Sequence, residues 1–396
     1  MNINRRQFLK TAGAGIAAVA AFEVVGRAGL FPLTGASAAP NIPLADQVLG
    51  PIPKDPQARS ILRMSELNRL PWFEKGEAGQ LRLASGAGIP PVIDVHTHVG
   101  WSQGLGEDID MTARSPVRYF WNYEIAQDFL NIQLHPTPGE AEAMADETKY
   151  LVFKTPERNK THTAANLVAE MARFNHARSV MLPVEIPVRS RHAEQTRQAA
   201  RVDDRLIAFS GIHPWHWSEE KEKQLAATLG GTVRGLKFHP VFQFMGPDHP
   251  DAMKMFEWCA AHDVVVLAHT GFTGSEPGFM QAFAEPERFA APLKAFPKLK
   301  MVFGHTGSRK RFHETLAVAR RHEDQVWLEF SGQPVPHIRT VIDHYDKSKI
   351  VYGSDWPYYP LAVALARFLV ATEDQQDLRQ AILHDNAARL LGLPLA

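Results

Sequence analysis

Eight short runs rich in apolar and β-branched residues constrain the fold of this chain more than any other feature. The last five begin at residues 233, 264, 300, 326 and 350, so they recur at intervals of 31, 36, 26 and 24 residues, the length of a strand–helix–strand unit. Continuous apolar strands are typical of a parallel sheet buried on both faces. We therefore predict an α/β fold, a (β/α)8 TIM barrel, with strands at Val92–Val95, Ser179–Val184, Leu206–Phe209, Val233–Phe238, Val264–Ala268, Lys300–Phe303, Val326–Phe330 and Ile350–Tyr352.

Helical patterns separate the predicted strands, as at Pro250–His262 and Glu314–Arg321. The single cysteine, Cys259, lies within the first of these helices, so we expect a core residue that forms no intramolecular disulfide. Thr372-Glu-Asp-Gln375 has the pattern of a capping box. It predicts the start of a last helix that ends before Gly392.

Polar side chains follow several of these runs at the point where each strand ends. His96 and His98 follow the first run, and His269, His305 and Asp355 follow the fifth, sixth and eighth. Residues two apart on a strand point the same way, and such barrels carry their chemistry at the carboxyl ends of the strands. Three histidines and one aspartate suit zinc and leave a position for water. The pattern predicts a catalytic metal centre.

The remaining histidines lack this context, because none of them follows an apolar run in the same way. A lone histidine is more often structural than a metal ligand. We therefore expect surface positions for His135, His162, His176, His192, His262 and His344.

The amino terminus has the pattern of an export signal. Asn4-Arg-Arg-Gln-Phe-Leu-Lys10 contains twin arginines, an apolar stretch follows at Ala12–Phe22, and Ala36-Ser-Ala38 offers small residues for cleavage. We predict a signal peptide at residues 1–38, recognised by the twin-arginine export machinery, and a periplasmic or secreted mature protein. The apolar stretch is too short to span a membrane, so no membrane anchoring is expected.

The charge balance argues for a small-molecule substrate. After removal of residues 1–38, the chain has 39 basic and 42 acidic residues. No basic stripe remains that would bind nucleic acid.

Residues 39–90 contain several prolines and few periodic segments. They are expected to form an extended arm that wraps either the barrel, at residues 91–396, or a neighbouring subunit. A homodimer is one assembly that such an arm would stabilise.

An insertion at about residues 100–160 is the expected source of substrate selectivity. It contains aromatic residues, with Arg114 and Arg118 nearby, and it follows the first strand. This composition suits a lid over an aromatic or carboxylated small molecule, although the same aromatics could simply pack the insertion onto the barrel. The aromatic residues are Trp101, Tyr119, Phe120, Trp121 and Tyr123; other expected walls are His213–Trp217 and Phe242–Met245.

The chain resembles the amidohydrolase superfamily, and within it the amidohydrolase-related group that includes the aminocarboxymuconate-semialdehyde decarboxylase-like metal-dependent hydrolases. The matching motifs are Asp94-Val-His-Thr-His98, Gly235-Leu-Lys-Phe-His-Pro240, His269-Thr-Gly271, Gly304-His305, Gly353-Ser-Asp355 and Asn386-Ala-Ala-Arg-Leu390. The resemblance implies that one divalent ion, expected to be Zn²⁺, is bound by His96, His98, His269 and Asp355. It also implies that His305 orients the water or polarises the substrate.

Lys237 leaves the number of metal ions open. It shares a strand face with His239, and both are candidates for a second metal or for substrate. A carboxylated Lys237 would bridge two ions, as in relatives that hold two metals. Alternatively, its ammonium group would grip a substrate carboxylate, or pair with Glu329 or another buried acid.

These residues predict hydrolysis of a small ester, lactone or amide by metal-activated water. A divalent ion lowers the pKa of a bound water toward ~7, and Asp355 can accept its proton and pass it to the leaving group. Export favours hydrolysis, since catabolic decarboxylation normally belongs in the cytoplasm. Two alternatives remain: a non-oxidative decarboxylase of a small aromatic or unsaturated acid, and a metal-binding barrel without catalysis.

Overall fold

A computed structural model describes residues 61–134, 137–150, 153–187, 190–231, 233–272 and 278–395. An antiparallel hairpin of β1 (Phe73–Lys75) and β2 (Leu81–Leu83) precedes eight parallel strands that form one sheet in sequential order. The parallel strands are β3 (Val92–Thr97), β4 (His176–Met181), β5 (Leu206–Gly211), β6 (Val233–Phe238), β7 (Val265–His269), β8 (Met301–Gly304), β9 (Val326–Glu329) and β10 (Ile350–Val351).

The sheet closes on itself between β10 and β3. The backbone N–H of Val95 donates to the Tyr352 carbonyl at 2.9 Å, and that of His98 donates to the Trp356 carbonyl at 2.6 Å. All eight predicted strands are present within a few residues of their expected bounds. The prediction of a TIM barrel is therefore confirmed.

Helices cover the outside of the barrel. The α-helices are α1 (Pro138–Tyr150), α2 (Ala164–Arg173), α3 (His192–Ala199), α4 (Glu219–Thr228), α5 (Pro240–Gln243), α6 (Pro250–Ala261), α7 (Gly278–Gln281), α8 (Ala290–Ala295), α9 (Phe312–Arg321), α10 (Val335–His344), α11 (Leu361–Ala371), α12 (Leu378–Gln380) and α13 (Asn386–Leu391). A π-helical turn at Ala381–Asp385 joins the last two. Short 3-10 turns lie at Met64–Arg69, Asn159–Thr161, Ala282–Ala284, Pro286–Phe289, His305–Gly307 and Lys347–Lys349.

The predicted capping box at Thr372 is wrong. Thr372 follows the carboxyl end of α11, and its hydroxyl donates back to the Phe368 carbonyl at 2.9 Å. Every residue of α11, including Arg367, is buried, and such a helix lacks the exposed polar face that helical periodicity detects. The last helical segment instead starts at Leu378.

Alternate residues of the barrel strands belong to two hydrophobic layers. Val265 and Leu267 of β7 belong to one cluster with α13, whereas Val266 and Ala268 belong to the larger cluster that includes most of the surrounding helices. This alternation is the period-two pattern of a strand with both faces covered. Cys259 is buried with a free thiol, as predicted.

The described part of the amino-terminal segment, residues 61–90, packs on the barrel. Leu67 is buried in the 3-10 turn, and the Met64 N–H donates to the Tyr123 carbonyl at 2.9 Å. The Arg173 guanidinium of α2 donates to the Leu81 carbonyl at 3.2 Å. The predicted signal peptide and residues 39–60 lie outside the described residues. Among the residues described, no helix is both long and apolar enough to cross a membrane.

The insertion between β3 and α2 is mostly irregular and contains α1. Phe120 and Tyr123 are buried, and the Tyr123 hydroxyl donates to the Tyr358 carbonyl at 2.7 Å. Part of the aromatic run therefore packs the insertion onto the barrel. Arg114 and Arg118 are exposed.

Asn386 fixes the carboxyl-terminal helix to the barrel, which suggests a stability test. Its buried side-chain amide donates to the carbonyls of Lys347 and Ile350, each at 2.7 Å. Asn386→Ala leaves these carbonyls without that donor and should lower the free energy of unfolding by about 1–3 kcal/mol, measured by denaturant titration. Gln376→Ala, at an exposed site, is the control. Equal stability of the two variants would contradict the assigned role.

Candidate metal centre

His96 and His98 are both held by their Nδ1 atoms. The His96 Nδ1–H donates to Glu329 Oε2 at 2.7 Å, and the His98 Nδ1–H donates to the Leu182 carbonyl at 2.7 Å. These bonds fix the ring orientation and leave the lone pair on Nε2, as in histidines that bind metals. Both rings are buried.

Asp355 faces the two Nε2 atoms. Its Oδ1 lies 3.6 Å from His96 Nε2 and 3.3 Å from His98 Nε2. The ligand atoms of these three residues lie within 4.8 Å of one another. Asp355 has a left-handed backbone with a φ of 62°, and its N–H donates to the His96 carbonyl at 2.6 Å. Burial raises the pKa of Asp355 to about 6, against the lowering effects of His305 and Lys237.

His269 and His305 extend the cluster. The His305 ring lies 4.6 Å from that of His96 and 4.7 Å from that of His269. The Nε2 of His269 is buried and has no hydrogen-bond partner among the described residues. Since buried polar atoms are nearly always satisfied, this nitrogen suits a bound ion. All four predicted metal ligands and His305 thus lie at one end of the barrel.

His305 is fixed by Glu329 at the end of β9 and by Ser331 after it. Its Nδ1–H donates to Ser331 Oγ at 2.8 Å, and its backbone N–H donates to Glu329 Oε2 at 3.0 Å. Burial lowers the pKa of His305 to about 4. The neutral ring therefore keeps a lone pair on Nε2.

Glu329 contacts His96, His305 and Ser331, whereas the sequence analysis considered it only as a partner of Lys237. Its carboxylate also accepts from the Ser331 hydroxyl at 2.9 Å and from the Ser331 N–H. Burial raises the pKa of Glu329 to about 8, against these hydrogen bonds, which lower it. A carboxylate within an otherwise apolar strand was the available signal.

Lys237 and His239 lie in the same region. Lys237 Nζ is 3.3 Å from His96 Nε2, and burial lowers the pKa of Lys237 to about 7, against the raising effects of Asp355 and Glu329. The His239 ring stacks on that of His269 at 4.0 Å, and its Nδ1 accepts from the Phe242 N–H at 3.4 Å.

The histidines of the cluster are neutral at neutral pH. Burial and the Lys237 charge hold the pKa of His96 well below its usual value and bring that of His98 to about 3. Burial likewise lowers the pKa of His269. Metal ligands must be deprotonated, so neutral imidazoles are suited to binding an ion.

Asp94 connects β3, which carries His96, to the segment after β10, which carries Asp355. Its Oδ1 accepts from the N–H groups of His96 and Ser354, each at 3.0 Å. Because Ser354 directly precedes Asp355, one buried carboxyl sets the backbone on both sides of the cluster. The sequence placed Asp94 in a motif but did not reveal this role.

Three histidines predicted at the surface are buried, so that prediction was wrong. His162, His176 and His192 expose 1, 3 and 1% of their surface. Each bonds a backbone carbonyl, as His192 Nε2–H does with Val99 at 3.1 Å, and such contacts leave no pattern in the sequence. His262 and His344 are exposed as predicted, and His135 lies outside the described residues.

Glu170 of α2 supports the loop that carries Asp355. Its buried carboxylate accepts from Trp356 Nε1 at 2.9 Å, from the Tyr119 hydroxyl at 2.8 Å and from the Leu361 N–H at 3.0 Å. One side chain therefore joins the insertion, α2 and the segment after β10. No feature of the sequence indicated this.

Residues 93–393, well over half of the chain, match the amidohydrolase family. This chain belongs to the amidohydrolase family. The match confirms the predicted membership, and with it a metal-dependent enzyme acting on small molecules by hydrolysis or decarboxylation. Residues 2–22 of this amidohydrolase match the signal sequence of the twin-arginine translocation pathway, confirming export to the periplasm or secretion. No curated protein gives a significant match.

Solved structures share the barrel of this amidohydrolase at low sequence identity. An uncharacterized TIM-barrel protein from Bordetella bronchiseptica is 18% identical, with a TM-score of 0.53 over 76% of this chain and 98% of its own. A 2,6-dihydroxybenzoate decarboxylase, solved with 2,6-dihydroxybenzoate, is 15% identical, with a TM-score of 0.50 over 77% and 100%. A probable 2-pyrone-4,6-dicarboxylic acid hydrolase from Acinetobacter baumannii is 14% identical, with a TM-score of 0.47 over 76% and 99%. The likeness to the first two shows the fold.

The role of Glu170 can be tested by Glu170→Gln. The glutamine amide is itself a donor, so at least one of the three bonded donors should lose its acceptor. We expect a loss of about 1–3 kcal/mol in the free energy of unfolding, measured by denaturant titration with tryptophan fluorescence. The control is Glu219→Gln, at an exposed position of α4. If both variants unfold as the native protein does, Glu170 does not support the loop.

Proposed function

We propose that this amidohydrolase is an exported hydrolase of a small ester, lactone or amide. We further propose that His96, His98, His269 and Asp355 hold one divalent ion, Zn²⁺. The observation that carries the proposal is the convergence of potential ligand atoms. Two Nε2 atoms lie within 3.6 Å of Asp355 Oδ1, and the unpartnered Nε2 of His269 lies in the same cluster.

The donor set fits such an ion. Neutral imidazoles and one carboxylate are the ligands that zinc takes in catalytic sites with an open position. The Nδ1 bonds of His96 and His98 supply the outer contacts that orient metal-binding histidines. When bound, the ion lowers the pKa of water toward ~7 and so supplies hydroxide at neutral pH.

Asp355 is proposed to move the proton. Its carboxylate lies within 3.6 Å of the Nε2 atoms of His96 and His98, so it stands beside the water that the ion would hold and is placed to exchange a proton with it. It takes one proton from the attacking water and gives it to the leaving alcohol or amine. The bond from the acyl carbon to the leaving group breaks, and the oxygen of water forms the product carboxyl.

His305 is proposed to orient the water. Its Nδ1–H is committed to Ser331 Oγ, so the neutral ring offers an acceptor at Nε2 and no donor to a carbonyl oxygen. Of the two roles that the resemblance implies, this hydrogen-bond pattern favours orientation of the water. Lys237 is the cation beside the centre, and its ammonium can stabilise negative charge on the attacked carbonyl oxygen.

A single ion is proposed, with Lys237 unmodified. Among the described residues, the other group of potential ligands is His96, His305 and Glu329. It shares His96 with the first group, and its ligand atoms already bond to one another or to Ser331. These contacts favour a supporting role for Glu329 and Ser331 around one ion.

Hydrolysis can be tested with purified mature protein in oxygen-18 water, using lactones, aryl esters, N-acyl amines and aromatic acids. The product carboxylate should carry the label, detected by mass spectrometry. Asp355→Asn should lower kcat by about 100-fold or more, the contribution of a general acid–base group. Asp324→Asn, at an exposed position, is the matched control and should retain activity.

Three results would overturn parts of this proposal. Carbon dioxide release without label in the remaining product would make the enzyme a decarboxylase. Full activity after complete metal removal would exclude the metal-dependent mechanism. Ion binding without turnover of any compound class would favour a metal-binding barrel without catalysis.

A further inference from the structure

The turn that carries His305 has an unusual backbone. His305, Thr306 and Ser308 have φ angles of 64°, 42° and 52°. Gly307, which lies between Thr306 and Ser308, has a φ of 91°. Residues other than glycine rarely adopt this left-handed region, and they persist there only where the surrounding structure fixes them. Since the whole turn is buried, the position of His305 depends on the groups that hold the turn.

Glu329 and Thr270 hold the middle of this turn. The Thr306 hydroxyl donates to the Glu329 carbonyl at 2.8 Å, and the Gly307 N–H donates to the Thr270 hydroxyl at 2.9 Å. The Ser308 hydroxyl donates to the Thr270 carbonyl at 2.9 Å. None of these three bonds involves the carbonyls at the two ends of the turn.

Gln333 joins the two ends of the turn. Its side-chain amide nitrogen donates to the His305 carbonyl at 2.6 Å and to the Ser308 carbonyl at 2.9 Å. The His305 carbonyl also accepts from the Ser308 N–H at 3.1 Å. Gln333 exposes 1% of its surface, so bulk water does not compete for its amide. Because a glutamine amide has two N–H donors, both are used on the turn that carries His305.

The oxygen of the same amide contacts the insertion and α10. Gln333 Oε1 accepts from Gln133 Nε2 at 2.7 Å and from the His337 Nδ1–H at 2.6 Å. Burial lowers the pKa of His337 to about 3, so its ring is neutral at neutral pH, and it stacks on Phe312 at 3.9 Å. The two carbonyls of the turn require donors, which fixes the amide nitrogen toward the turn and the oxygen toward the insertion.

We propose that Gln333 is a positioning residue for His305 and that it links the insertion to the proposed metal centre. This inference rests on the proposed hydrolase function, in which His305 orients the attacking water. Gln333 holds the His305 carbonyl at 2.6 Å, and the Glu329 carboxylate holds the His305 N–H at 3.0 Å. The peptide groups on both sides of the His305 side chain are thus fixed. A misplacement of about 1 Å costs on the order of 100-fold in rate, so a small movement of the turn is enough to impair the reaction.

Gln333→Met keeps the length of the side chain and removes its four hydrogen bonds. In the zinc-loaded mature enzyme, acting on an ester or lactone that it hydrolyses, kcat should fall by about tenfold or more. KM should stay unchanged, because the turn orients the water and does not bind the substrate. Gln224→Met, at an exposed position of α4, is the matched control and should retain full kcat. An unchanged kcat in folded Gln333→Met, or a rise in KM alone, contradicts the inference.

A double-mutant cycle separates positioning of His305 from general stabilisation of the barrel. In a His305→Ala background, Gln333→Met should cause no further loss of kcat, because the effects of residues that act through one another do not add. Gln333→Leu replaces Gln333→Met if the latter lacks a cooperative melting transition. The same loss of kcat with and without the His305 ring overturns the positioning role, whereas the hydrolase function stands.

The His305 imidazole gives a readout that needs no turnover. In nuclear magnetic resonance spectra of the zinc-loaded protein with nitrogen-15-labelled histidine, its signals are identified by their absence in His305→Ala. Gln333→Met should shift them, because a displaced ring loses the 2.8 Å bond from its Nδ1–H to Ser331 Oγ, and Gln133→Met should shift them less. Unchanged signals in Gln333→Met overturn the positioning role, and unchanged signals in Gln133→Met overturn the link to the insertion. Shifted signals in a protein that hydrolyses no ester support the positioning role and count only against the hydrolase function.

Discussion

The seam between the first and last barrel strands is the constraint on which the site depends. The Asp355 N–H donates to the His96 carbonyl at 2.6 Å, and Asp94 accepts from the N–H groups of His96 and Ser354. These bonds close the barrel and bring residues about 260 positions apart in the chain into one cluster. Geometry at the seam therefore sets the distances between His96, His98 and Asp355. The hydrogen bonds that close the barrel therefore also position these three residues.

The strands and the ends that carry ligands could be predicted from the sequence. Continuous apolar runs and the position of a polar residue after each run are local patterns, and His96, His269 and Asp355 all follow such runs. The supporting residues could not be predicted, since Glu170 and Ser331 act through partners distant in sequence. The capping box at Thr372 failed for the related reason that an all-buried helix shows no periodicity.

The same limit explains why the burial of two histidines was not predicted. His162 and His192 were predicted at the surface because neither directly follows an apolar run. The fold buries both rings, and backbone carbonyls accept from their nitrogens. The proposed chemistry thus lies at the strand ends, whereas the insertion, the proposed source of selectivity, is joined to the barrel by Glu170 and Tyr123. This division lets one barrel serve many substrates.

The central claim is that His96, His98, His269 and Asp355 hold one ion. Anomalous diffraction at the zinc edge, from crystals of the zinc-loaded mature protein, tests it most directly. The account predicts one anomalous peak per chain, with three imidazole nitrogens and one carboxylate oxygen at roughly 2.0–2.2 Å, and an unmodified Lys237. Two peaks bridged by a carboxylated Lys237, or one peak that lacks His269, would contradict it.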